Sequence, residues 1–302
     1  MQVEEYILLR VNALLHAQDA KIVKRLEGGM SNYTYVVECQ GKHYTYRVPG
    51  KYAERFVDRE EEWQNIQEVD KIGLNNVTTY VEIRSGEKMA EYVEGTIMSD
   101  TDVFSYNAMS VAALKKLHGS NLKFKDYNAF GRLDVYEGYC KEMGFVFPKE
   151  YADLRQHLEA LRKAHANAPV VPCHCDYQPT NLVISGDRLY VLDWEFAGMN
   201  DPFYDIACYG NAGLDKALSL LEAYVGHKPT HEELSRLYFH RAFQCLQWYT
   251  VAIFKDKVGL SQDLNLDFNA IAQMFFKMAD DLIRKSDDEN ATPDLKSNVY
   301  FK

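Results

Sequence analysis

The chain has 302 residues, 47% hydrophobic and 13% aromatic, which is enough apolar surface for one large core or two lobes and too much for global disorder. Its 44 acidic side chains against 34 Lys and Arg leave a formal charge of −10, which argues against nucleic acid or an anionic membrane as main partner. Six scattered cysteines, no secretory leader pattern and no apolar run of bilayer length point to a reducing compartment, the cytoplasm.

Residues 3–16 repeat apolar side chains with a helical period. Residues 21–27 alternate as a strand and lead into Gly28-Gly29-Met30-Ser31-Asn32. Residues 33–39 and 43–48 alternate on either side of Gln40-Gly41, a hairpin signal. Residues 58–70 read as a charged helix, and 77–84 and 88–93 as strands around Ser85-Gly86. Residues 1–93 are therefore expected to form a small lobe, an antiparallel sheet with one inserted helix. Residues 94–302 read as a larger, mainly helical lobe. Helices are expected over 105–118, 150–166, 215–224, 231–255 and 268–284, with one hairpin turning at Gly186-Asp187.

The chemistry-bearing positions follow in chain order. Gly28-Gly29 with Ser31 and Asn32 would let backbone amides approach phosphate oxygens, though a plain hairpin turn explains the same residues. The Gly-Lys-Ser/Thr ending of a Walker loop is missing. Arg47 lies in the alternating strand HYTYRVPG, as a solvated cation or one reaching a nucleotide. One of Glu60, Glu61 and Glu62 could hold its guanidinium. Glu91, Tyr92 and Val93 form an extended junction whose backbone could meet an adenine edge.

The hairpin HCDYQPTNLVISGDRLYVLDWEFAG carries the strongest signal. Asp176 sits in its entering loop, Asn181 starts one strand and Asp193 ends the other. Asn181 and Asp193 offer hard oxygens to Mg²⁺, and Asp176 is placed to accept a hydroxyl proton. Each residue has an ordinary turn or cap explanation, but the three together fit one catalytic site better. Cys173-His174-Cys175 has no second pair at zinc spacing.

The stretch HCDYQPTNLVI…VLDWEFAGMNDPFYDIA, with YRVPG, DREEEWQN and LKKLHGS, resembles the choline/ethanolamine kinases and aminoglycoside phosphotransferases, most closely the bacterial LicA-type branch. The resemblance runs from about Gly28 to Tyr209. It implies an α+β, two-lobed protein-kinase-like fold with ATP and Mg²⁺ as cofactors. It implies Asp176 as the base, Asn181 and Asp193 as metal ligands, and Arg47 in the place of the kinase lysine. Glu62, with Glu60 the alternative, would be its partner. Gly29, Ser31, Asn32, Glu91, Tyr92 and Val93 would surround the nucleotide, and His174 and Asp205 would support the Asp176 loop.

The implied acceptor is choline or a similar amino alcohol, with ethanolamine, thiamine or an aminoglycoside as alternatives and a silent nucleotide-binding protein as a rival. A quaternary ammonium is held by aromatic faces and an anion. Tyr204, Tyr209, Trp248, Tyr249 and Glu195 are the expected acceptor residues. Arg241, Gln244 and Gln247 share a helix with Trp248, so that helix is expected to line a cleft. The sequence departs from the family in reading CYGNAG where eukaryotic choline kinases carry a Glu-Trp pair.

Overall fold

The structure is a computed structural model that describes residues 2–26 and 32–287. The chain runs α1 (Val3–Leu15), β1 (Lys21–Leu26), β2 (Asn32–Cys39), β3 (Lys42–Pro49), α2 (Arg59–Val69), β4 (Thr78–Val81), β5 (Lys88–Glu91), β6 (Thr96–Ile97), α3 (Asn107–His118), α4 (Ala129–Glu142) and α5 (Lys149–Ala164). It continues β7 (Val171–Cys173), β8 (Leu182–Ser185), β9 (Arg188–Val191), β10 (Gly198–Asn200), α6 (Pro202–Tyr209), α7 (Leu214–Val225), α8 (His231–Lys257), α9 (Leu260–Leu264) and α10 (Phe268–Asp287). This is the α+β arrangement expected, an antiparallel sheet and a mostly helical remainder.

Two compact units result. The first holds the described residues up to Thr101, with Ser120–Lys125 and Thr180–Ala197. The second holds Asp102–Gly119, Asp126–Pro179 and the described residues from Gly198 onward. The first unit thus extends past residue 93 and takes in β8 and β9.

In the first unit the strands are ordered β1-β2-β3-β5-β4, all neighbours antiparallel. Cys39 pairs with Lys42 across Gln40-Gly41, both with positive φ, the backbone that a two-residue hairpin turn requires. Ile7 and Val11, one turn apart on α1, pack with Tyr35, Val37, Tyr44, Tyr46 and Met89 of the sheet. The hydroxyls of the part-buried Tyr6 and the buried Tyr46 donate to Glu87 at 2.6 and 2.7 Å, so both phenols keep partners. The Asp58 side chain caps α2 by accepting from the amides of Glu60 and Glu61. That start places Arg59 and Glu62, three apart, on one helix face. A second sheet, β6-β8-β9, carries the hairpin turned at Gly186-Asp187, as expected.

The second unit is built around α8, which packs on α10, α6, α4 and α5. Thr230 and Glu233 cap its start reciprocally. The expectation that α8 lines a cleft because of its polar residues is corrected here. Arg241, Gln244, Gln247 and Thr250 are buried, and the last three are satisfied internally. Gln244 donates to Tyr204 O at 2.9 Å, Gln247 Oε1 accepts from the Tyr204 hydroxyl at 3.0 Å, and Thr250 donates to Gln247 O at 2.7 Å.

Candidate active site

In the first unit the predicted residues Arg47, Glu62, Asp193 and Glu195 come together. Arg47 of β3 donates to both Glu62 oxygens, Nη1 at 2.7 Å and Nη2 at 2.8 Å. This bidentate pair selects Glu62 over Glu60, which points to solvent from the first turn of α2. Nη2 also donates to Gly86 O at 2.9 Å, and Nη1 lies 3.4 Å from Glu195 Oε2.

Sequence reasoning missed two members of this cluster. Arg59 Nη1 donates to Glu62 Oε2 at 2.7 Å and to Glu195 Oε2 at 2.8 Å. Lys88 Nζ donates to Glu62 Oε1 at 3.0 Å. Lys88 is the cross-strand partner of Arg47, so register alone places both on one face of the sheet. The signal was therefore present, in a pairing that needs the β3–β5 register to be known. The turn before Lys88 requires glycine. Gly86 has φ +76°, and a Cβ there would sit 2.6 Å from Arg59 Nε and 2.9 Å from Pro49 Cγ.

Glu62 is completely buried. Burial alone would raise its pKa, but Lys88, Arg47 and Arg59 hold the carboxyl well below the usual range. Glu195 behaves oppositely: burial and the neighbouring Asp193 push it up to about 7 against the pull of Arg47 and Arg59. Its expected place, an anion facing the acceptor's cation, is corrected by this pairing. The reason is local. Trp194–Phe196 forms a 3₁₀ turn instead of continuing β9, so strand alternation no longer sets the direction of Glu195.

Asp193 has φ +68° and ψ +69°, a left-handed conformation unusual for a residue other than glycine. Its Oδ1 is buried and has no hydrogen-bond partner among the described residues, with Arg47 Nη1 at 3.7 Å. The backbone carbonyl of Asn181 accepts from the Leu192 amide at 2.8 Å, which sets Asn181 beside the residue preceding Asp193. Asn181 and Asp193 are thus neighbours with two hard-oxygen side chains, a set that could hold a divalent cation.

In the second unit the loop after β7 is clamped by Asp205 of α6, a fully buried carboxylate. Asp205 accepts from the His174 amide at 2.9 Å and the Cys175 amide at 2.7 Å. His118 Nε2 lies 3.0 Å from it and His118 Nδ1 lies 2.9 Å from the Tyr224 hydroxyl. His118 is therefore part of this brace. Cys175 has φ +60°, and the Asp176 amide then donates to His174 Nδ1 at 3.2 Å. Gln178 Nε2 donates to Asp176 Oδ2 at 3.1 Å, and Asn211 donates to Gln178 at 3.1 Å. The loop holds one carboxylate in a fixed direction with its own backbone satisfied, as a general base requires.

The expected acceptor aromatics are mostly core. Tyr249 is buried among Phe147, Tyr151 and Phe276, which corrects its assignment to a pocket wall. Tyr209 is buried against Tyr177 with its hydroxyl 3.2 Å from Ser110 Oγ, and Tyr204 is buried with its hydroxyl 3.0 Å from that of Tyr127. Their polar ends are already used, so neither ring stands open. Trp248 is half-buried and stacked on Phe275.

Among the junction residues, Glu91 gives its amide to Val77 O at 2.8 Å and takes the Asn76 side chain on its carbonyl at 2.7 Å. Tyr92 gives its amide to His43 O at 3.0 Å. The Glu91 amide and carbonyl and the Tyr92 amide are therefore already used within the protein, which narrows the set of junction groups. Asn32 begins β2 with its side-chain oxygen buried and unpartnered among the described residues. Gly29 and Ser31 lie outside the described residues.

The sequence profile of the phosphotransferase enzyme family (APH) matches residues 22–237. Protein LicA of Haemophilus influenzae is 29% identical over 249 residues, 77% of this chain and 73% of that one. A choline/ethanolamine kinase family protein from Mesorhizobium loti is 27% identical and superposes with a TM-score of 0.73 over 92% of this chain and 94% of its own. The choline kinase LicA from Streptococcus pneumoniae is 22% identical, with a TM-score of 0.77 over 93% of this chain and 98% of its own.

Proposed function

The chain belongs to the phosphotransferase enzyme family, and from that premise we propose that it transfers the γ-phosphate of ATP to the hydroxyl of choline, giving phosphocholine. The observation that carries this reading is Asp193, a residue in left-handed backbone whose buried carboxylate oxygen has no hydrogen bond from a described residue and only the distant Arg47 Nη1, at 3.7 Å, for a counter-charge. Burying such an oxygen without a hydrogen bond is costly, and a site tolerates it where a ligand completes it. Asp193 and Asn181 fit Mg²⁺, which when bound supplies charge neutralisation at the phosphate oxygens.

The protein's own residues do the positioning. Asp176, steadied by Gln178, accepts the acceptor's hydroxyl proton as that oxygen attacks in line. Asp205 keeps the loop shaped so that Asp176 needs no rearrangement. Glu62 and Arg47 fix the β3–α2 side of the nucleotide site, and the backbone of Tyr92 and Val93 meets the adenine. Asn32, at the start of β2, contacts the phosphates. Of the expected acceptor aromatics, Trp248 is the half-buried one and would face a trimethylammonium group.

One observation favours ethanolamine as the alternative acceptor. With Tyr204, Tyr209 and Tyr249 packed away, few aromatic faces remain for a quaternary ammonium, which needs them more than a primary amine does. ADP release from MgATP over a panel of choline, ethanolamine, thiamine and an aminoglycoside tests both. Choline-dependent turnover is expected, with Trp248→Ala raising KM for choline roughly 3- to 30-fold, the range such contacts supply. Turnover with ethanolamine alone would move the assignment to that acceptor. Nucleotide binding without turnover on any acceptor would mark a silent relative.

A further inference from the structure

We propose that Arg241 is a positioning residue for the Asp176 loop: from helix α8 it holds, through Gln244 and Cys208, the peptide that joins Cys175 to Asp176. The role presupposes the kinase reading above, in which Asp176 takes the acceptor's proton.

Arg241 is 2% exposed. Among the described residues its guanidinium has one hydrogen-bond acceptor, Gln244 Oε1 at 3.3 Å, and no carboxylate within ion-pair distance. The other buried arginines, Arg47 and Arg59, share Glu62. A buried charge without a carboxylate works against the fold, and such groups are kept where activity uses them.

From Gln244 the contacts run to the base. Gln244 Nε2 donates to Tyr204 O at 2.9 Å and to Cys208 Sγ at 3.2 Å. Cys208 Sγ in turn donates to Cys175 O at 3.4 Å, the carbonyl of the peptide whose nitrogen belongs to Asp176. A guanidinium is donor-only, so Gln244 must turn its oxygen toward Arg241 and its NH₂ toward Cys208. Burial pushes the Cys208 thiol well above its ordinary range, so it keeps the proton that it gives to Cys175 O. The direction of every hydrogen bond in the row is therefore set from the Arg241 end.

A second path leaves the same side chain. Gly210 packs on it: a Cβ there would sit 3.5 Å from Arg241 Cδ and 3.6 Å from Nε. The next residue, Asn211, donates to Gln178 at 3.1 Å, and Gln178 donates to Asp176 at 3.1 Å. Arg241 thus supports both the backbone ahead of Asp176, where Cys175 has φ +60°, and the amide that steadies its carboxylate. A left-handed residue other than glycine persists only where its neighbours hold it. All of these residues belong to the second unit.

Turnover, MgATP affinity, thermal melting and hydrogen exchange over residues 174–178 test this in Arg241→Met, Arg241→Lys, Cys208→Ala and the Arg241→Met/Cys208→Ala double variant. Arg241→Met should melt close to wild type, since the lost hydrogen bond and the removed buried charge offset each other. It should bind MgATP within about twofold of wild type, exchange the 174–178 amides faster and lose kcat about tenfold or more, as a displaced base does. Arg241→Lys, another donor-only cation, should recover part of the loss. Cys208→Ala cuts the row without touching Arg241 and should show the same pattern. The double variant should lose no more than the worse single variant, because one row carries both effects. Unchanged kcat or unchanged exchange in Arg241→Met overturns the assignment, and so do losses that multiply in the double variant. A variant that fails to fold, or whose kcat falls only as its folded fraction falls, marks Arg241 as structural and overturns it too. Absence of wild-type turnover on choline, ethanolamine, thiamine and an aminoglycoside overturns the kinase reading, and the exchange result alone then decides whether Arg241 holds the loop.

Discussion

Arg59 holds Glu195 across 136 residues of sequence, Nη1 to Oε2 at 2.8 Å, with each residue 7% exposed. The contact ties the start of α2 to the turn that follows Asp193. Arg59 is also shared with Glu62, so its removal leaves two buried carboxylates short of a donor. Breaking a buried pair from one side costs on the order of 3–5 kcal/mol. Arg59→Met should lose about that much in urea unfolding, and adding Glu195→Gln should return part of it. Strictly additive losses would show that the two side chains do not act together.

Asp176→Asn keeps the shape of the loop and removes its basicity. Gln178 can still reach the amide oxygen, so the fold and MgATP affinity should be unchanged. Turnover should fall roughly 10²-fold or more, the scale of lost general-base catalysis. Near-normal kcat in this variant would take Asp176 out of the mechanism.

Asp205→Ala removes the acceptor of two buried amides and a partner of His118. Each orphaned donor costs about 1–3 kcal/mol. Cys175 then loses what holds its positive φ, so the loop should relax and kcat should fall with stability. A thermal melt and a turnover assay on the same sample check the pairing of the two effects. A destabilised variant with full turnover would mean that the clamp does not orient Asp176.

Much of this was legible in the sequence because its signals are local. The Gln40-Gly41 and Gly186-Asp187 hairpins announce themselves through turn residues between alternating strands. Asn181 and Asp193 flank one such hairpin within the first unit, so their nearness needed little topology. Arg59 and Lys88 were missed because their roles depend on partners far away in sequence, Glu195 and the β3–β5 register. Glu195 was misplaced because its partners, Arg47 and Arg59, are distant in sequence and a 3₁₀ turn follows Asp193 in place of more strand. Helix α6 was overlooked although Asp201 caps it at 2.8 Å and Pro202 opens it; eight residues give too few turns for a periodicity signal. The aromatic residues were assigned by type, and type does not distinguish a core tyrosine with a bonded hydroxyl from one that lines a pocket.

Asp201 supplies a pH dependence with a definite sign. Burial alone would raise its pKa, but His240 and Arg236 hold the carboxyl well below the usual range. A depressed carboxylate stabilises the fold fully above its unfolded pKa of about 4, and that stability is lost as the pH falls below it. Asp201→Asn keeps an oxygen for the Phe203 amide but removes the charge. At pH 7 the variant should be less stable by about 1.5–3 kcal/mol, the worth of hydrogen bonds to charged groups. The gap should narrow between about pH 5 and pH 2. Denaturation curves at a series of pH values check this, and a constant gap would place the acid-labile carboxylate elsewhere.

Asp193 should show opposite effects on stability and activity. Its backbone is left-handed, its Oδ1 has no hydrogen bond from a described residue, and its charge raises the neighbouring Glu195. These three work against the fold when no cation is bound, offset in part by the long ion pair to Arg47 at 3.7 Å. Glycine adopts this φ without the Cβ strain, which is worth about 1 kcal/mol. In metal-free buffer Asp193→Gly should therefore be as stable as wild type or more stable, by up to about 1–2 kcal/mol of relieved backbone strain. The same variant should lose the Mg²⁺ dependence of nucleotide binding and fall roughly 10²-fold or more in turnover, since a metal ligand contributes several kcal/mol of charge stabilisation. Asn181→Ala should weaken Mg²⁺ dependence less, because it removes a neutral ligand rather than a charged one. Stability in the presence and absence of Mg²⁺, read by thermal shift, separates the two effects. Wild type should gain stability from MgATP and Asp193→Gly should not. If Asp193→Gly is destabilised by more than about 1 kcal/mol and still responds to MgATP as wild type does, the strain at Asp193 serves the fold and the cation is bound by other residues.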